Sequence, residues 1–169
     1  MNREQRESDF VGFFGSRVVA LRRLAYALCG DWHTAEDLTQ SAFVAVYRRW
    51  GHVRLETADA YARRVLVNTF LSHRRRHRRE SVVPQVRDER APGPGDPALR
   101  LDLSHVLAQL PPRQRAAVVL RHLADLSVVE VADLLGMAEG TVKSQTARGL
   151  ETLKKYLESD IEMNGRTRA

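Results

Sequence analysis

The stretch SVVEVADLLGMAEGTVKSQTAR, residues 127–148, decides how the C-terminal part of this chain folds. Ser127 and Glu130 have the spacing of a capping box, in which the serine hydroxyl accepts from an amide three residues on and the glutamate reaches back. Gly136 follows the helix that this box opens, at a point where a tight turn needs a left-handed residue. Residues 141–148 then have the apolar pattern of a second short helix, and Leu150 just after them is expected to point to the core. This spacing predicts a helix-turn-helix, whose second helix enters the major groove of DNA.

The second of these helices carries polar side chains on the side opposite its expected core. Hydroxyl, amide and cationic groups of this kind reach base edges or phosphates in a DNA groove. An ordinary helical hairpin with a solvated polar face is the alternative interpretation. The predicted DNA-reading residues are Glu139, Thr141, Lys143, Ser144, Gln145 and Arg148.

Upstream of the motif, a run of proline and glycine divides the chain. The segment APGPGDP at 91–97 cannot be helical, because proline lacks an N–H and glycine costs backbone entropy. Two further helices are predicted after it, over 101–110 and 113–124, with Pro111 and Pro112 ending the first. Leu123 is expected on the apolar side of the second. We therefore predict one module at 8–80, a flexible linker at 81–99 and the DNA-binding module at 100–158.

The first module has apolar residues at three- and four-residue steps, which is typical of amphipathic helices. One predicted helix ends near Gly30, and a second runs from about Thr34 to Trp50. A third begins near Thr57 or Asp59, either of which could cap it, and continues into a basic block. The predicted fold class is therefore all-α, with two small helical modules joined by the linker.

Positive charge predicts a polyanionic partner. The chain has a net charge of +6, and five arginines crowd into its basic block at 74–79. Because such a cluster repels itself unless a polyanion is near, and because each phosphate contact releases a counterion, nucleic acid is the expected ligand. RNA remains an alternative to DNA for this block.

Several other classes of protein are disfavoured by the sequence. Cys29 is the only cysteine, which rules out an internal disulfide and suits the cytoplasm, and no stretch is apolar enough to insert into a membrane. There is no glycine-rich phosphate loop, Cys/His cluster or nucleophile elbow, so we expect neither enzymatic activity nor a cofactor. His73 and His77 have the spacing of metal ligands on a helix, but the neighbouring arginines would repel a cation, so no metal site is predicted.

Three stretches carry a resemblance to a known family. Residues 34–43, TAEDLTQSAF, are similar to a signature of the form Asp-Ala-Glu-Asp-x-x-Gln-Glu-x-Phe; residues 60–76, AYARRVLVNTFLSHRRR, are similar to a promoter-facing helix; and residues 140–144, GTVKS, are similar to a recognition-helix core. From about residue 8 to 158 the chain resembles the extracytoplasmic-function (ECF, group IV) sigma factors of the sigma-70 family, and it is similar to their actinobacterial SigE-type subfamily.

The resemblance implies a function and a set of partners. Such a protein directs core RNA polymerase to promoters by recognising the −10 and −35 elements, and it binds the clamp helices of the largest subunit and the β flap. An anti-sigma factor is a further partner that the family allows. The residues implied for polymerase binding are Asp37, Gln40, Phe43 and Tyr47. Those implied for the −10 element are Tyr61, Arg63, Arg64, Asn68, Arg74, Arg75 and Arg76. The residues implied for the −35 element are the six DNA-reading residues of the second module, from Glu139 to Arg148.

The chain departs from the family pattern at several positions, and other functions share parts of it. Ser41 stands where a glutamate is usual, Ala138 where a capping serine is common, and Gln145 where an arginine is frequent. We expect the polymerase and −35 contacts to be weaker as a result. Two alternatives are a helix-turn-helix regulator with an N-terminal sensing or dimerisation module, and a nucleic-acid-modifying enzyme with a helix-turn-helix anchor.

Overall fold

The fold is described by a computed structural model for residues 2–80 and 97–167, with side chains for 2–76 and 103–166. Over these residues the chain forms helices and no strand, as predicted. It divides into two compact units, α1–α3 and α4–α7. The helices are α1 (Arg3–Cys29), α2 (Trp32–Arg48), α3 (Ala58–Glu80), α4 (Pro97–Ala108), α5 (Pro112–His122), α6 (Val128–Leu135) and α7 (Glu139–Thr167).

The described ranges include only the end of the predicted linker, and they can be searched for helices that could cross a membrane. Residues 81–96 lie outside the described part of the chain, and residues 97–99, which we predicted to be linker, belong to α4. Within the two described ranges, no helix combines the length and the apolarity needed to cross a membrane.

The turn between α1 and α2 is set by two capping residues. Gly30 ends α1 in the left-handed conformation, with φ 76°, and its amide donates to the Tyr26 carbonyl at 2.7 Å. The Asp31 carboxylate accepts from the Thr34 amide at 2.8 Å and from the Thr34 hydroxyl at 2.6 Å. Because Asp31 is the N-cap, α2 begins at Trp32, ahead of the predicted start.

Helix α2 lies between α1 and α3 and supplies the centre of the first unit. Trp50, which we predicted to end α2, instead opens a 3-10 helix at Trp50–His52, and a second 3-10 helix at Leu55–Thr57 leads into α3. The Phe13 and Trp50 rings pack with centroids 5.1 Å apart, closing one end of the core. The most buried side chains of this unit are Ala25, Ala35, Ala42, Val46, Ala58, Ala62, Leu66 and Val67.

The second unit contains the predicted helix-turn-helix. The Ser127 hydroxyl accepts from the Glu130 amide at 3.1 Å, and the Glu130 carboxylate accepts from the Ser127 amide at 2.7 Å, so the capping box is confirmed. Gly136 has φ 62°, the left-handed turn that the sequence required. The second helix of the motif, α7, begins at Glu139 and continues to Thr167, well beyond the residue 148 that the apolar pattern suggested.

Helix α7 packs on α5 through a glycine that the sequence analysis missed. A Cβ placed on Gly149 would lie 2.5 Å from a γ-methyl of Val118, so only glycine permits this approach of the two helices. Leu150, which we predicted to point to the core, is 41% exposed because its neighbour Gly149 occupies the buried position. The prediction for Leu123 was likewise wrong: it follows the last residue of α5 and is 52% exposed.

Candidate nucleic-acid and polymerase interfaces

The solvent side of α7 near its start carries the predicted DNA-reading residues. Thr141, Ser144 and Arg148 follow one another at three- and four-residue steps, which places them on one side of the helix. Lys143 and Gln145 flank this line on its two sides, and Glu139 lies in the first turn. We call these six residues the α7 face. Four of the six are exposed, and Thr141 and Gln145 are half-buried.

Hydrogen bonds within the first turns of α7 determine which polar groups there remain available to a ligand. The Ser144 hydroxyl donates to the Thr141 carbonyl at 3.0 Å, so its oxygen is left to accept from an outside donor such as a base amino group. The Val142 amide donates to the Ala138 carbonyl at 3.0 Å, which makes Ala138 the N-cap residue. A methyl group offers no acceptor to the first amides of α7, so these amides remain able to donate to a phosphate.

The outer side of α3 brings together five of the seven residues implied for the −10 element. Spacings of three, four and seven residues place four of them on one side of the helix: Tyr61, Arg64, Asn68 and Arg75. Arg76 lies at the edge of this side nearest α2. We call these five the α3 face. Tyr61 is half-buried and the other four are exposed, so an amide, a phenol and three guanidinium groups face outward together.

Arg63 and Arg74 lie off this face. The Arg63 guanidinium is 3.4 Å from the Asp59 carboxylate, which also pairs with Arg17 of α1 at 3.2 Å. The Arg74 guanidinium lies over the Phe70 ring, 5.8 Å from its centroid. Both arginines therefore contact their own unit, and the structure does not bring them to the side where Asn68 lies.

A groove of about 540 Å³ separates α2 from α3 and touches two of the predicted sites. Asp37 lines it from α2, while Asn68 and Arg76 line it from α3. Ser41 and Thr69 also line it, as do Ser72 and His73, which the sequence analysis did not place in a DNA or polymerase site. The side chain of His77, the second histidine of the spacing discussed above, lies outside the described residues.

The outer side of α2 presents a stripe that differs from the predicted one at a single position. Asp37, Gln40, Val44 and Tyr47 recur at three- and four-residue steps and are all exposed; we call them the α2 stripe. Phe43 was predicted to extend this stripe, and that prediction was wrong, since Phe43 is only 4% exposed. It is turned toward α1, where its ring lies 4.7 Å from that of Phe14 and 6.2 Å from that of Phe13.

Val44 takes the place of Phe43 and was missed by the sequence analysis. It is 50% exposed, as is Tyr47, and it lies two turns after Asp37. Its seven-residue spacing from Asp37 is the signal that could have found it. The Asp37 carboxylate lies 3.7 Å from the imidazole of His33, one turn earlier, at the acidic end of the stripe.

Known proteins resemble this chain in both of its units. Residues 14–80 match the family described as Sigma-70 region 2, and residues 100–153 match Sigma-70, region 4. The RNA polymerase sigma-E factor of Streptomyces avermitilis is 41% identical over 157 residues, which cover 89% of this chain and 86% of that protein. The ECF RNA polymerase sigma factor SigE of Mycolicibacterium smegmatis is 40% identical over 144 residues, which cover 80% of this chain and 56% of that longer protein.

A solved structure agrees with these similarities at the level of the fold. The sigma factor RpoE, in complex with the anti-sigma factor NepR from Bartonella quintana, superposes with a TM-score of 0.69 at 26% identity. The superposition covers 90% of this chain and 98% of that one. The α2 stripe and the α3 face fall within the region 2 match, and the α7 face falls within the region 4 match.

Proposed function

The chain belongs to the extracytoplasmic-function group of the sigma-70 family, and we propose how its three surfaces share the work of such a factor. As a sigma factor it directs core RNA polymerase to specific promoters. The observation that supports this proposal is that the α2 stripe, the α3 face and the α7 face lie on three different helices, one for polymerase, one for the −10 element and one for the −35 element. A helix-turn-helix regulator with a sensing module is not favoured, because residues 14–80 match region 2.

The α2 stripe binds the clamp helices of the largest polymerase subunit in this proposal. Asp37 supplies a carboxylate that is two-thirds exposed and therefore available to a cationic partner. Gln40 supplies both a donor and an acceptor one turn further on, and Tyr47 supplies an aromatic surface with a polar tip. Ser41, beside them, lacks the carboxylate that the family signature has at this place, which reduces the charge available for the contact.

The α3 face reads and opens the −10 element. A base that leaves the stack needs an aromatic surface and a hydrogen-bonding group, and Tyr61 and Asn68 offer these on one side of α3. Arg64, Arg75 and Arg76 bind the phosphates that flank this position. Arg63 contributes through its ion pair with Asp59, which holds the start of α3, and so acts as a positioning residue.

The α7 face reads the −35 element from the major groove. Arg148 and Lys143 bind phosphate or guanine, while the Ser144 oxygen accepts from a base amino group. The open amides after Ala138 add a phosphate contact without a capping side chain to compete for them. Nucleotide addition is carried out by the polymerase, and this chain supplies position and sequence recognition.

The remaining partners follow from the same assignment. The second unit binds the β flap of the polymerase, and the whole factor works where polymerase and promoter meet, in the cytoplasm. The similarity to a sigma factor solved with its anti-sigma factor supports a partner of that kind for this chain. Such a partner would act by covering the α2 stripe or the DNA-binding faces.

Holoenzyme assembly and run-off transcription test the proposal together. Purified chain is mixed with core polymerase and genomic fragments, and specific transcripts are mapped to their start sites. The double variant Asp37→Ala/Gln40→Ala should weaken core binding at least tenfold while the helical content is retained. Glu56→Ala, which removes an exposed carboxylate outside the α2 stripe, is the matched control. Undiminished holoenzyme with the double variant would remove the α2 assignment, and no transcript with wild-type chain would remove the function.

A further inference from the structure

The second half of α7 extends beyond the residues that pack against it. Val142 and Thr146 near its start are buried, and Gly149 lies against α5. From residue 154 to residue 166, by contrast, every side chain is exposed. The match to region 4 ends at residue 153, so this part of the helix lies outside that match. Because an isolated helix shorter than about 12–15 residues is marginal in water, a covering surface would stabilise this part of α7.

An apolar stripe runs along this exposed part of the helix. Steps of three, four and four residues place four apolar side chains on one side of α7: Leu150, Leu153, Leu157 and Ile161. We call them the leucine stripe. Leu153 is half-buried, whereas Leu157 is 49% exposed and Ile161 is 71% exposed. A contiguous apolar stripe on an exposed helix marks a docking surface, and a second amphipathic helix is the partner that fits it.

Charges beside the leucine stripe favour a second copy of this chain as the partner. Lys154 and Glu158 are both exposed and lie one turn apart along the same edge of the stripe. If two copies of the helix run antiparallel with Leu157 on the two-fold axis, Leu153 of each copy lies opposite Ile161 of the other. The same arrangement brings Lys154 of each copy near Glu158 of the other, so that two equivalent ion pairs form.

The antiparallel direction also suits the rest of the second unit. The stripe begins at Leu150, beside Gly149, where α7 is packed against α5. Two parallel helices would bring both second units together at this end, whereas antiparallel helices keep them at opposite ends of the pair. Arg148 and Leu150 are two residues apart and therefore lie on nearly opposite sides of α7, which leaves the α7 face open in such a pair.

We propose that two copies of this chain associate through the leucine stripe, as an antiparallel pair of α7 helices with reciprocal ion pairs between Lys154 and Glu158. This contact goes beyond the proposed function and does not depend on it, since it uses no residue of the α2 stripe, the α3 face or the α7 face. The stripe spans only about three turns, so the area it covers falls short of the ~1,200 Å² of a stable interface. The expected dissociation constant is therefore micromolar, on the order of 10 µM.

Two charge variants of the full chain test the pairing by sedimentation equilibrium at low salt. In Lys154→Glu both edge residues are acidic, and in Glu158→Lys both are basic, so each variant alone should associate about tenfold more weakly than the wild type. Mixed in equal amounts, the two variants should form a heterodimer, because opposite charges then meet at both ion pairs. Lys155→Glu and Glu162→Lys are the matched controls, since they make the same charge changes on the side of α7 away from the stripe. Alone or mixed, the controls should associate like the wild type.

An apolar variant tests the centre of the contact. Leu157→Gln retains helix propensity but removes apolar area from both copies, so association should weaken more than tenfold. Met163→Gln is its control, since Met163 is 68% exposed on another side of α7 and should be replaceable without effect.

Three results would overturn the inference. One is a wild-type chain that remains monomeric up to about 1 mM, a hundred times the expected dissociation constant. Another is a mixture of Lys154→Glu and Glu158→Lys that associates no better than either variant alone. The third is a Leu157→Gln variant that binds core polymerase more weakly while the wild-type chain is monomeric, because polymerase would then be what covers the stripe.

Discussion

The close approach of α7 to α5 makes the substitution Gly149→Ala a sensitive probe of the helix-turn-helix. The new methyl would lie 2.5 Å from a γ-methyl of Val118 and 3.5 Å from the Gln114 carbonyl oxygen. Val118 is 4% exposed, and its β-branched side chain has essentially one rotamer in a helix, so it cannot turn away. The two helices must therefore separate, which also displaces the α7 face.

Two opposing terms set the size of the effect. Alanine is favoured over glycine within a helix by about 1 kcal/mol. Overpacking a well-filled core costs up to about 3 kcal/mol, and the upper end applies here because neither neighbour can yield. The expected net result is a loss of roughly 2 kcal/mol in the free energy of unfolding of the second unit, or a factor of about 30 in its folding equilibrium.

Urea unfolding can isolate this effect, because both tryptophans, Trp32 and Trp50, belong to the first unit. Far-ultraviolet circular dichroism follows both units, whereas tryptophan fluorescence follows the first unit alone. Gly149→Ala should move the dichroism transition to lower urea and leave the fluorescence transition in place. Gly140→Ala is the control, since a Cβ there has nothing within 4 Å and should leave stability unchanged or raise it slightly.

A rescue experiment completes the test. Val118→Ala removes the methyl that the new side chain would meet, so the double variant Gly149→Ala/Val118→Ala should be more stable than the sum of the two single changes allows. The reasoning would be refuted if Gly149→Ala stabilised the second unit as much as Gly140→Ala does. It would equally be refuted if the two substitutions were additive, because the clash with Val118 would then not exist.

Three further predictions concern local contacts. Lys143→Ala should lower transcription from a promoter with a −35 element and reduce the salt slope of DNA binding by about one; an equal loss on a promoter without that element would contradict the assignment. Burial opposes ionisation of Asp31, but the hydrogen bonds from Thr34, followed by the His33 contacts, outweigh it and hold the pKa of Asp31 below 3.8. Because the pKa of Asp31 is lower in the folded than in the unfolded chain, the stabilisation is present above about pH 4 and is lost as the pH falls through the folded value. Asp31→Asn should keep the helix cap at neutral pH yet abolish this loss of stability in acid. If the pH dependence of unfolding were the same in Asp31→Asn as in the wild type, the assignment to Asp31 would be wrong. Ser127→Ala should cost the second unit about 1 kcal/mol by opening the capping box, visible as an earlier dichroism transition, whereas no shift would mean that the box is not stabilising.

Sequence patterns were sufficient where the physical cause is local. The capping box at Ser127, the end of α1 at Gly30 and the left-handed turn at Gly136 each depend on a few neighbouring residues, so spacing alone reveals them. The apolar periods placed the helices of both units and the all-α class. The family resemblance was carried by short contiguous stretches, and the matches to regions 2 and 4 confirmed it.

Tertiary packing decided which side of each helix remains on the surface. Periodicity cannot distinguish Phe43 from Val44 at the margin of α2; the aromatic rings of α1 bury the phenylalanine and leave the valine exposed. Likewise Arg63 and Arg64 are adjacent in sequence, but packing against α1, whose Arg17 pairs with Asp59 beside Arg63, leaves Arg63 half-buried and Arg64 exposed.

The helix-turn-helix shows both kinds of information in one element. The extent of α6 and the turn after it followed from the residues between Ser127 and Gly136, because a cap and a left-handed glycine are properties of the local chain. How deeply α7 lies against α5 did not, because it depends on Val118, which is distant in sequence from Gly149. The sequence by itself determined the class of protein and the order of its helices, whereas contacts between distant side chains determined which residues of each helix lie on the surface.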